Sequence, residues 1–431
     1  MKNKTVFYFV LFSLFFAILA CNFPTVPEST PDTDGYRDTT ITLTETTTQT
    51  PTETTTLTPT VTRTATNTVT LTQTTTSTAT VTPTLDLTIF SSPTIFRLSM
   101  FTPTQGWAVA DDNDYLLVTT DGGQTWLDAT PPELHPLPSG WTSLGLHPFF
   151  LDETTAWFTP NTSGGGVLYQ TQNSGHTWTT NAIPFDRARY YFLNANDGFA
   201  LVDLGAGAGS HYVALYRTED GGVSWVEVFS HEPGESKSLP EGGTKNGVTF
   251  LNLDRGWIGG TIPMTDYFHF YVTLDGGATW EREMDIYLPG AFAGSFLDVW
   301  QPIFINETRG YLPVRTITSG SDLFMLIYRS NDGGETWVYQ NSVQNGRQVD
   351  FYDPDSGWIA AMDGLYRTTD GGLTWVMNDS PSIPSGEFFI DVDFVDEQHG
   401  WALTSPDDST WDPRKLYRTT DGGATWTLLL P

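Results

Sequence analysis

From residue 94 onwards, apolar residues come in short runs that are separated by polar turns, and the pattern recurs. In the last copy, the runs 416–420 and 427–430 lie on either side of an Asp-Gly-Gly turn. Two runs of strand length around such a turn predict a β-hairpin, because Gly supplies the positive φ angles and Asp can hydrogen-bond the backbone two residues on. The pattern is therefore typical of antiparallel β-structure.

The turn belongs to an octapeptide, Ser/Thr-x-Asp-x-Gly-x-Thr/Ser-Trp, that occurs seven times between residues 119 and 426. Its third position holds, in order, Asp121, Asn173, Asp220, Asp275, Asp332, Asp370 and Asp421. Recurrence at intervals of 38 to 57 residues indicates a repeat architecture. Seven copies around one fold cannot all be catalytic. We therefore expect these residues to hold turns, and each following Trp to fill the space between neighbouring repeats.

A second pattern precedes each hairpin: a strand with an aromatic residue, a polar turn, and then Gly and an aromatic residue. In the last repeat these are Phe394 and Gly400-Trp401, and the second repeat has Ala156-Trp157 instead of Gly-aromatic. Each repeat therefore predicts four strands, A to D, which make one blade of a β-propeller. We expect an all-β fold, a seven-bladed β-propeller with four-stranded blades over residues 85–431, with the Asp residues in the C–D turns.

These repeats resemble the Asp-box repeats, or bacterial neuraminidase repeats, of sialidase-like propellers. The pairing of residues 394–401 with residues 416–423 is most similar to the photosystem II assembly and stability factor type of seven-bladed propeller. That resemblance implies a basic patch that binds a partner polypeptide. Asp boxes also occur in sialidases and xyloglucan-degrading hydrolases, so the resemblance specifies the fold more closely than the function.

The N terminus has the features of a bacterial lipoprotein signal. A basic tetrapeptide precedes an apolar stretch over residues 6–19, which is too short for a stable membrane-spanning helix. The stretch ends in Ile18-Leu19-Ala20-Cys21, which resembles a lipobox. We expect a signal peptide over 1–21, lipidation of Cys21, and a location on the extracellular face of the cell membrane, with the lipid as the only membrane contact.

Residues 22–84 are about half threonine and carry too little apolar surface to fold alone. We expect an extended stalk, which is either O-glycosylated or a plain disordered spacer. Its reach is at most ~200 Å, at about 3.1 Å per residue. Either form would hold the propeller away from the membrane.

The formal net charge of −30 argues against nucleic acid as a partner and favours solubility. The seven histidines show no metal-ligand spacing. Cys21 is the only cysteine, so a disulfide within one copy is excluded. We expect a monomer without a metal or a cofactor.

Antiparallel connectivity places the A–B and C–D turns on one face of the ring and the B–C and D–A connections on the other. The second face has the longer connections, so we call it the long-loop face and expect a binding site there. Three tryptophans outside the repeated positions fall in these connections: Trp141, Trp300 and Trp411. They could bind a sugar or a protein, or pack the loops onto the blades.

Three basic residues lie on strand A near the same face. Arg97, Arg189 and Lys245 stand at odd offsets before the repeated aromatic position, so period-two alternation predicts one orientation for all three. They could form an anion or carboxylate site at the mouth of the central channel. The alternative is a set of isolated salt bridges between blades.

Two classes of function fit these observations. We favour a non-catalytic surface protein that binds or scaffolds a protein or carbohydrate ligand on the long-loop face. The alternative is an extracellular glycoside hydrolase of the sialidase-like or xyloglucanase-like type, which needs two carboxylates across a cleft. The long loops contain several acidic residues, among them Asp203, Asp266, Asp298, Asp322 and Asp408. None of them is distinguished from the others, so no catalytic residue is predicted.

Overall fold

The computed structural model describes residues 80–81 and 86–431, apart from residues 112, 136, 138–142, 162–165, 187, 232–236, 263–266, 284–285, 379–385 and 407–413. All described residues belong to one compact unit, Gln73–Pro431. The predicted signal peptide with Cys21, most of the predicted stalk, Trp141 and Trp411 lie outside the described residues.

The described chain is almost entirely β-structure, with two short 3-10 helices, Pro132–Leu134 and Gly290–Phe292, and no α-helix. Repeats 1 to 3 and the segment before them form β1 (Thr80–Val81), β2 (Thr88–Ile89), β3 (Ile95–Met100), β4 (Gly106–Ala110), β5 (Tyr115–Thr119), β6 (Leu127–Asp128), β7 (Phe149–Phe150), β8 (Ala156–Phe158), β9 (Gly166–Thr171), β10 (Thr179–Ile183), β11 (Ala188–Phe192), β12 (Gly198–Gly207), β13 (Ser210–Thr218) and β14 (Val226–Ser230). Repeats 4 to 7 form β15 (Thr244–Phe250), β16 (Gly256–Thr261), β17 (Phe270–Thr273), β18 (Glu281–Arg282), β19 (Phe296–Val299), β20 (Ile303–Phe304), β21 (Gly310–Ile317), β22 (Leu323–Ser330), β23 (Val338–Gln344), β24 (Gly346–Phe351), β25 (Gly357–Ala361), β26 (Gly364–Thr368), β27 (Val376–Asn378), β28 (Phe388–Phe394), β29 (Gly400–Ser405), β30 (Lys415–Thr419) and β31 (Thr427–Leu430). Within these described residues, no helix is long and apolar enough to cross a bilayer.

Strands that follow one another in a repeat pair antiparallel in the same sheet. Repeats 3, 6 and 7 form four-stranded sheets, in the orders β11 to β14, β24 to β27 and β28 to β31. The sheets of repeats 1 and 2 have a fifth strand, because β2 pairs with β6 and β1 pairs with β10. Repeats 4 and 5 share one nine-stranded sheet, in which Thr261 of β16 pairs with Asp298 of β19. These antiparallel sheets confirm the all-β prediction and are consistent with a β-propeller.

One type of aromatic pair joins each sheet to the next. The ring on the second strand of a repeat lies against the Phe at the end of the first strand of the following repeat, with ring centroids 3.4 to 5.1 Å apart. The pairs are Trp107–Phe150, Trp157–Phe192, Phe199–Phe250, Trp257–Phe304, Tyr311–Phe351 and Trp358–Phe394. The second-strand rings are almost completely buried. Neighbouring sheets therefore share their apolar cores.

The last repeat contacts the first in the same manner. Trp401 lies in one core cluster with Met100, which replaces the Phe of the other repeats. The indole Nε1 of Trp401 donates to the carbonyl oxygen of Gly122 at 2.9 Å, and the backbone N–H of Met100 donates to Asp393 Oδ2 at 2.6 Å. These contacts connect the two ends of the repeat array.

In the repeats that have Gly before the second-strand aromatic residue, this Gly approaches the preceding strand closely; repeat 2 has Ala156 there instead. A Cβ atom added at Gly357 would lie 2.5 Å from Cδ1 of Phe351, and one added at Gly400 would lie 2.5 Å from Cε1 of Phe394. A side chain at Gly357 or Gly400 would displace the Phe ring that covers the aromatic residue of the preceding repeat. The Gly-aromatic pattern in the sequence therefore reflects the close packing of the first and second strands.

The acidic residue of each octapeptide lies between the third and fourth strands and organises the turn. Asp370 Oδ1 accepts the backbone N–H of Thr374 and the hydroxyl of Thr368, both at 2.9 Å, and Oδ2 accepts the hydroxyl of Thr374 at 2.7 Å. Partial burial opposes ionisation of Asp370, but the hydrogen bonds from Thr374 and Thr368 outweigh it and lower its pKa. Asn173 keeps the same shape, because its Nδ2 donates to the Thr177 hydroxyl where a carboxylate would accept.

Removal of one such carboxylate should destabilise the fold. Asp370→Ala leaves the Thr374 N–H without its acceptor, and we expect a loss of ~1–3 kcal/mol in the free energy of unfolding. Denaturant unfolding of a soluble form that begins at Asn22 measures it. Asp254→Ala is the matched control, because that exposed carboxylate accepts no hydrogen bond from the described residues. An equal loss in both variants would contradict the role of the turn.

Candidate functional site

Arg97 and Arg189 occupy equivalent positions on the first strands of repeats 1 and 3. Arg97 pairs with Val109 and Arg189 pairs with Leu201, and each partner lies two residues after the second-strand aromatic residue. Both arginine side chains have solvent-exposed surface. The surroundings of Arg97 are nevertheless enclosed enough that burial lowers its pKa, while the charge of Asp391 opposes that shift. The alternation of strand A therefore gives these two residues the common orientation that was predicted.

Lys245 does not share that orientation, because a β-bulge intervenes. Lys245 pairs with Gly260 and Gly247 pairs with Gly259, so Gly247 takes the position that corresponds to Arg97. An extra residue on one strand moves the preceding side chain to the other face. Lys245 is accordingly 3% exposed, like Ile95 at the corresponding position of repeat 1, which is 2% exposed.

The ammonium group of Lys245 is used within the protein. Its Nζ lies 2.8 to 3.3 Å from four backbone carbonyl oxygens, those of His211, Glu241, Gly242 and Gly243. Burial lowers the pKa of Lys245 to about 8, and the charge of Glu241 opposes that shift. Since an ammonium group has three N–H donors, these carbonyls occupy all of them. Lys245 therefore fixes the loop before β15.

A cavity of about 270 Å³ opens beside these residues, between repeats 2, 3 and 4. Its polar lining includes His147, Asn161, Arg189, Asp203, His211 and Lys245. Its lining comes from the first three strands of repeat 3, from β15, and from residues that flank β8 in repeat 2. A ligand site on the long-loop face stays a prediction.

The positive charges near this cavity have few partners. Arg97 and His147 form no hydrogen bond or ion pair with any described residue, and the only such contact of Arg189 is a hydrogen bond to the carbonyl oxygen of Asn246. Burial, and then the positive charges of Arg97 and Arg189, lower the pKa of His147. A neutral imidazole thus lies near two guanidinium groups, an arrangement that attracts an anion.

The pair of Asp203 and His211 resembles a catalytic dyad but lacks a free base nitrogen. His211 Nδ1 accepts the backbone N–H of Lys245 at 3.0 Å, so the neutral ring carries its proton on Nε2. That nitrogen faces Asp203 Oδ1 at 3.4 Å. Burial lowers the pKa of His211, with Asp203 opposing it. Both ring nitrogens are engaged, so His211 cannot take a proton from a substrate in this arrangement.

A second cavity, of about 410 Å³, adjoins the first, and Arg189 lines both. Trp300 lines the second cavity, is half-buried against a core cluster, and donates from Nε1 to Asp298 Oδ2 at 3.1 Å. Asp298 also accepts Asn246 Nδ2 at 2.7 Å. Trp300 therefore packs a loop onto the sheet and also lines a cavity, and its role in ligand binding stays a prediction.

Three carboxylates from repeats 6 and 7 line a third cavity of about 580 Å³ together with Arg97. Asp350 Oδ2 accepts the backbone N–H of Phe394 at 2.7 Å, and Asp393 Oδ2 accepts that of Met100 at 2.6 Å, so each carboxylate bonds to the following repeat. Burial raises the pKa of Asp391 to about 6 and that of Asp393 further. Sequence reasoning missed this group, although Asp350 and Asp393 occupy the position directly before the repeated Phe.

No group of three or more His, Cys, Asp or Glu side chains in the described parts of the chain could hold a metal ion. The acids of the third cavity instead bond to backbone amides. The guanidinium groups of Arg97 and Arg189 are therefore suited to bind an anion, and the carboxylate of Asp350 is suited to bind a proton.

Comparison of the sequence with protein-family models and with curated proteins gives no match. Among solved structures, YCF48 bound to D1 peptide is 18% identical, with a TM-score of 0.46 over 81% of this chain and 95% of that chain. YCF48 from Cyanidioschyzon merolae is 17% identical, with a TM-score of 0.46 over 80% and 98%. The GH74 xyloglucanase from Xanthomonas campestris is 13% identical, with a TM-score of 0.38 over 81% and 69%. Such low similarity identifies neither a family nor an activity.

Asp350 makes the stability of the fold depend on pH. Burial raises its pKa to about 7, the Phe394 amide opposes the shift, and Asp391 adds to it. An unfolded Asp titrates near about 3.9, so between these values the folded state binds a proton that the unfolded state releases. The stabilisation is present at low pH and is lost as the pH rises through the folded pKa.

We therefore expect the free energy of unfolding to fall between about pH 5 and about pH 8, and to fall less in Asp350→Asn, which keeps an acceptor for the Phe394 amide. Denaturant unfolding across this range measures both slopes. Asp254→Asn, at an exposed carboxylate, is the control and should keep the slope of the unaltered protein. If Asp350→Asn also keeps that slope, Asp350 is not the titrating group.

Proposed function

We propose that the seven repeats are the blades of one seven-bladed β-propeller, similar in type to the photosystem II assembly factor, with structural Asp boxes in its C–D turns. The aromatic pairs between successive repeats support this arrangement. So do the contacts of Trp401 with Gly122 and of Asp393 with Met100, which join the last repeat to the first. In this ring the first strands line a central channel.

We propose that the propeller is a non-catalytic binding or scaffolding module whose ligand, a protein or a glycan, presents a carboxylate or another anion on the long-loop face. The observation that carries this proposal is the pair Arg97 and Arg189. In a chain of net charge −30, neither guanidinium group has a carboxylate partner within ion-pair distance among the described residues. Arginine binds carboxylates through two parallel hydrogen bonds, which suits an exposed pair beside a cavity.

The side chains around the first cavity favour binding over catalysis. A glycoside hydrolase needs two carboxylates across the bond that it cleaves, and Asp203 is the only carboxylate among the described residues that line this cavity. His211 has no free ring nitrogen. The site therefore has donors that hold an anion and lacks an acid–base pair.

A glycoside hydrolase of the sialidase-like or xyloglucanase-like type is the second candidate. Asp350 and Asp391 favour it, because a raised pKa is typical of a general acid and both carboxylates face the third cavity. Against it, Asp350 is hydrogen-bonded to the amide of Phe394 in the next repeat. We propose that these carboxylates join repeats.

We also propose that the protein is a monomeric lipoprotein, held on the extracellular face of the bacterial membrane by an acyl chain on Cys21. Support comes from the sequence, in which the apolar stretch 6–19 ends at the single cysteine of the chain. A threonine-rich stalk would separate this anchor from the propeller.

Replacement of both arginines should weaken ligand binding. We expect Arg97→Gln/Arg189→Gln to bind far less tightly, because each lost charged hydrogen bond costs ~1.5–3 kcal/mol. Glycan-array and pull-down screening of the soluble propeller identifies the ligand, and titration calorimetry then compares the variants. Arg217→Gln/Arg255→Gln is the matched control, because it removes two guanidinium groups near the octapeptide turns.

Two results would contradict this assignment. Undiminished binding by the arginine variant would move the site to the aromatic loops, including Trp300. Hydrolysis of a sialoside or xyloglucan that disappears in Asp203→Asn or Asp350→Asn would establish the hydrolase instead. Melting temperatures of all variants distinguish lost binding from lost folding.

Removal of residues 1–21 should release the protein from the membrane. The acyl chain on Cys21 is the one attachment that the sequence predicts. Fractionation of cells that produce the full chain or the shortened chain measures the shift from membrane to soluble material. A Cys21→Ser protein that stays with the membrane after signal cleavage would show a second attachment.

A further inference from the structure

The segment before the first repeat pairs with the outer edges of two sheets in the same register. In β1, Thr80 pairs with Thr180 and Val81 with Thr179, the residue after Trp178. In β2, Thr88 pairs with Asp128 and Ile89 with Leu127, the residue after Trp126. Both pairings are antiparallel and lie eight residues apart along the segment. We call the outer edges formed by the fourth strands the rim. Between Thr80 and Thr88, eight residues carry the chain along the rim from the sheet of repeat 2 to the sheet of repeat 1.

The next sheet along the rim has a free outer edge. Its fourth strand, β14, has no neighbour on its outer side among the described residues. Val226 follows Trp225 and so corresponds to Leu127 and Thr179. Val226 is 67% exposed, whereas Leu127 and Thr179 are half-buried beneath their added strands. An apolar, unpaired edge of this kind can accept another strand.

The chain before Thr80 has the pattern of such a strand. Threonine occupies every even-numbered position from Thr40 to Thr84, and this period of two, with a β-branched residue, suits an extended strand. Eight residues before Thr80–Val81 lie Thr72 and Gln73.

Three prolines of the segment follow the same eight-residue spacing as β1 and β2. In the sequence, Pro83 falls between β1 and β2, and Pro59 and Pro51 come 24 and 32 residues before it, both multiples of eight. Proline cannot donate to a strand ladder, so it suits crossings and not paired positions. The positions that correspond to Thr80 and Val81 in the earlier octads carry no proline.

We propose that the residues directly before Thr80 continue along the outer edges of the sheets, and that Gln73 pairs antiparallel with Val226 on the edge of β14. An eight-residue step reaches at most about 26–29 Å when extended, ample for one crossing and one pairing. The occupant is this chain's own segment, because Thr80 already pairs with the edge of β10 in repeat 2, and repeat 2 contacts repeat 3 through Trp157 and Phe192.

Engineered disulfides test this register. The soluble form that begins at Asn22 contains no cysteine, so the two introduced thiols are the only thiols in each molecule. The test pair is Gln73→Cys/Val226→Cys, and the reference pair is Val81→Cys/Thr179→Cys, which the structure shows as neighbours. Opposed residues in an antiparallel ladder lie within disulfide range. The matched control is Gln73→Cys/Val338→Cys, because exposed Val338 follows Trp337 as Val226 follows Trp225.

We expect the test pair to form a disulfide within the monomer as fast as the reference pair and at least about tenfold faster than the control. A docked strand gives the two thiols a higher effective concentration than a flexible tether does. Equal rates for Val226 and Val338 would overturn the proposal and indicate a free stalk. Disulfides found only between copies would overturn it in favour of pairing with a second molecule. Failure of the reference pair would also overturn it, because the register at β10 would then be absent.

Discussion

The fold depends on the burial of one aromatic ring between each sheet and the next. A sheet with apolar residues on both faces cannot cover them from within its own repeat, so Trp157 is covered by Phe192 and Trp358 by Phe394. Burial of such a ring contributes on the order of 1.5–3 kcal/mol, and the contact recurs between successive repeats. Because Trp401 extends the series to the first repeat, each sheet is stabilised by two neighbours.

This packing also determines which residues meet at the centre. The Phe that ends each first strand is fixed between sheets, so alternate residues before it point away from that core. Arg97 and Arg189, three residues before the repeated position, thereby share an orientation although 92 residues separate them. Asp350 and Asp393, one residue before it, bond to the next repeat. The two arginines come from repeats 1 and 3, and the two carboxylates come from repeats 6 and 7.

Local patterns in the sequence were enough to predict the sheets and two of the basic residues, because both follow from alternation along a strand. The orientation of Lys245 could not be predicted, because a β-bulge reverses the alternation of side chains along the strand. No residue type in the sequence indicates this bulge. His147 was missed because it precedes a strand of only two residues, too short for a visible period. The role of Asp350 depends on an amide from another repeat, 44 residues away, which no local pattern records.

The large negative charge of the chain changes what the arginine pair can select. At physiological ionic strength, charges on the surface are screened over about 8 Å, so a distant anion experiences mainly the acidic exterior. A group that enters the region of Arg97 and Arg189 reaches donors that form no ion pair with a carboxylate among the described residues, although the charge of Asp391 acts on Arg97. Lys245 adds little there, because its charge is already surrounded by four carbonyl oxygens. If Arg97 and Arg189 form the proposed site, that site should discriminate by shape as well as by charge, and favour a ligand that projects one anionic group over a uniformly anionic surface.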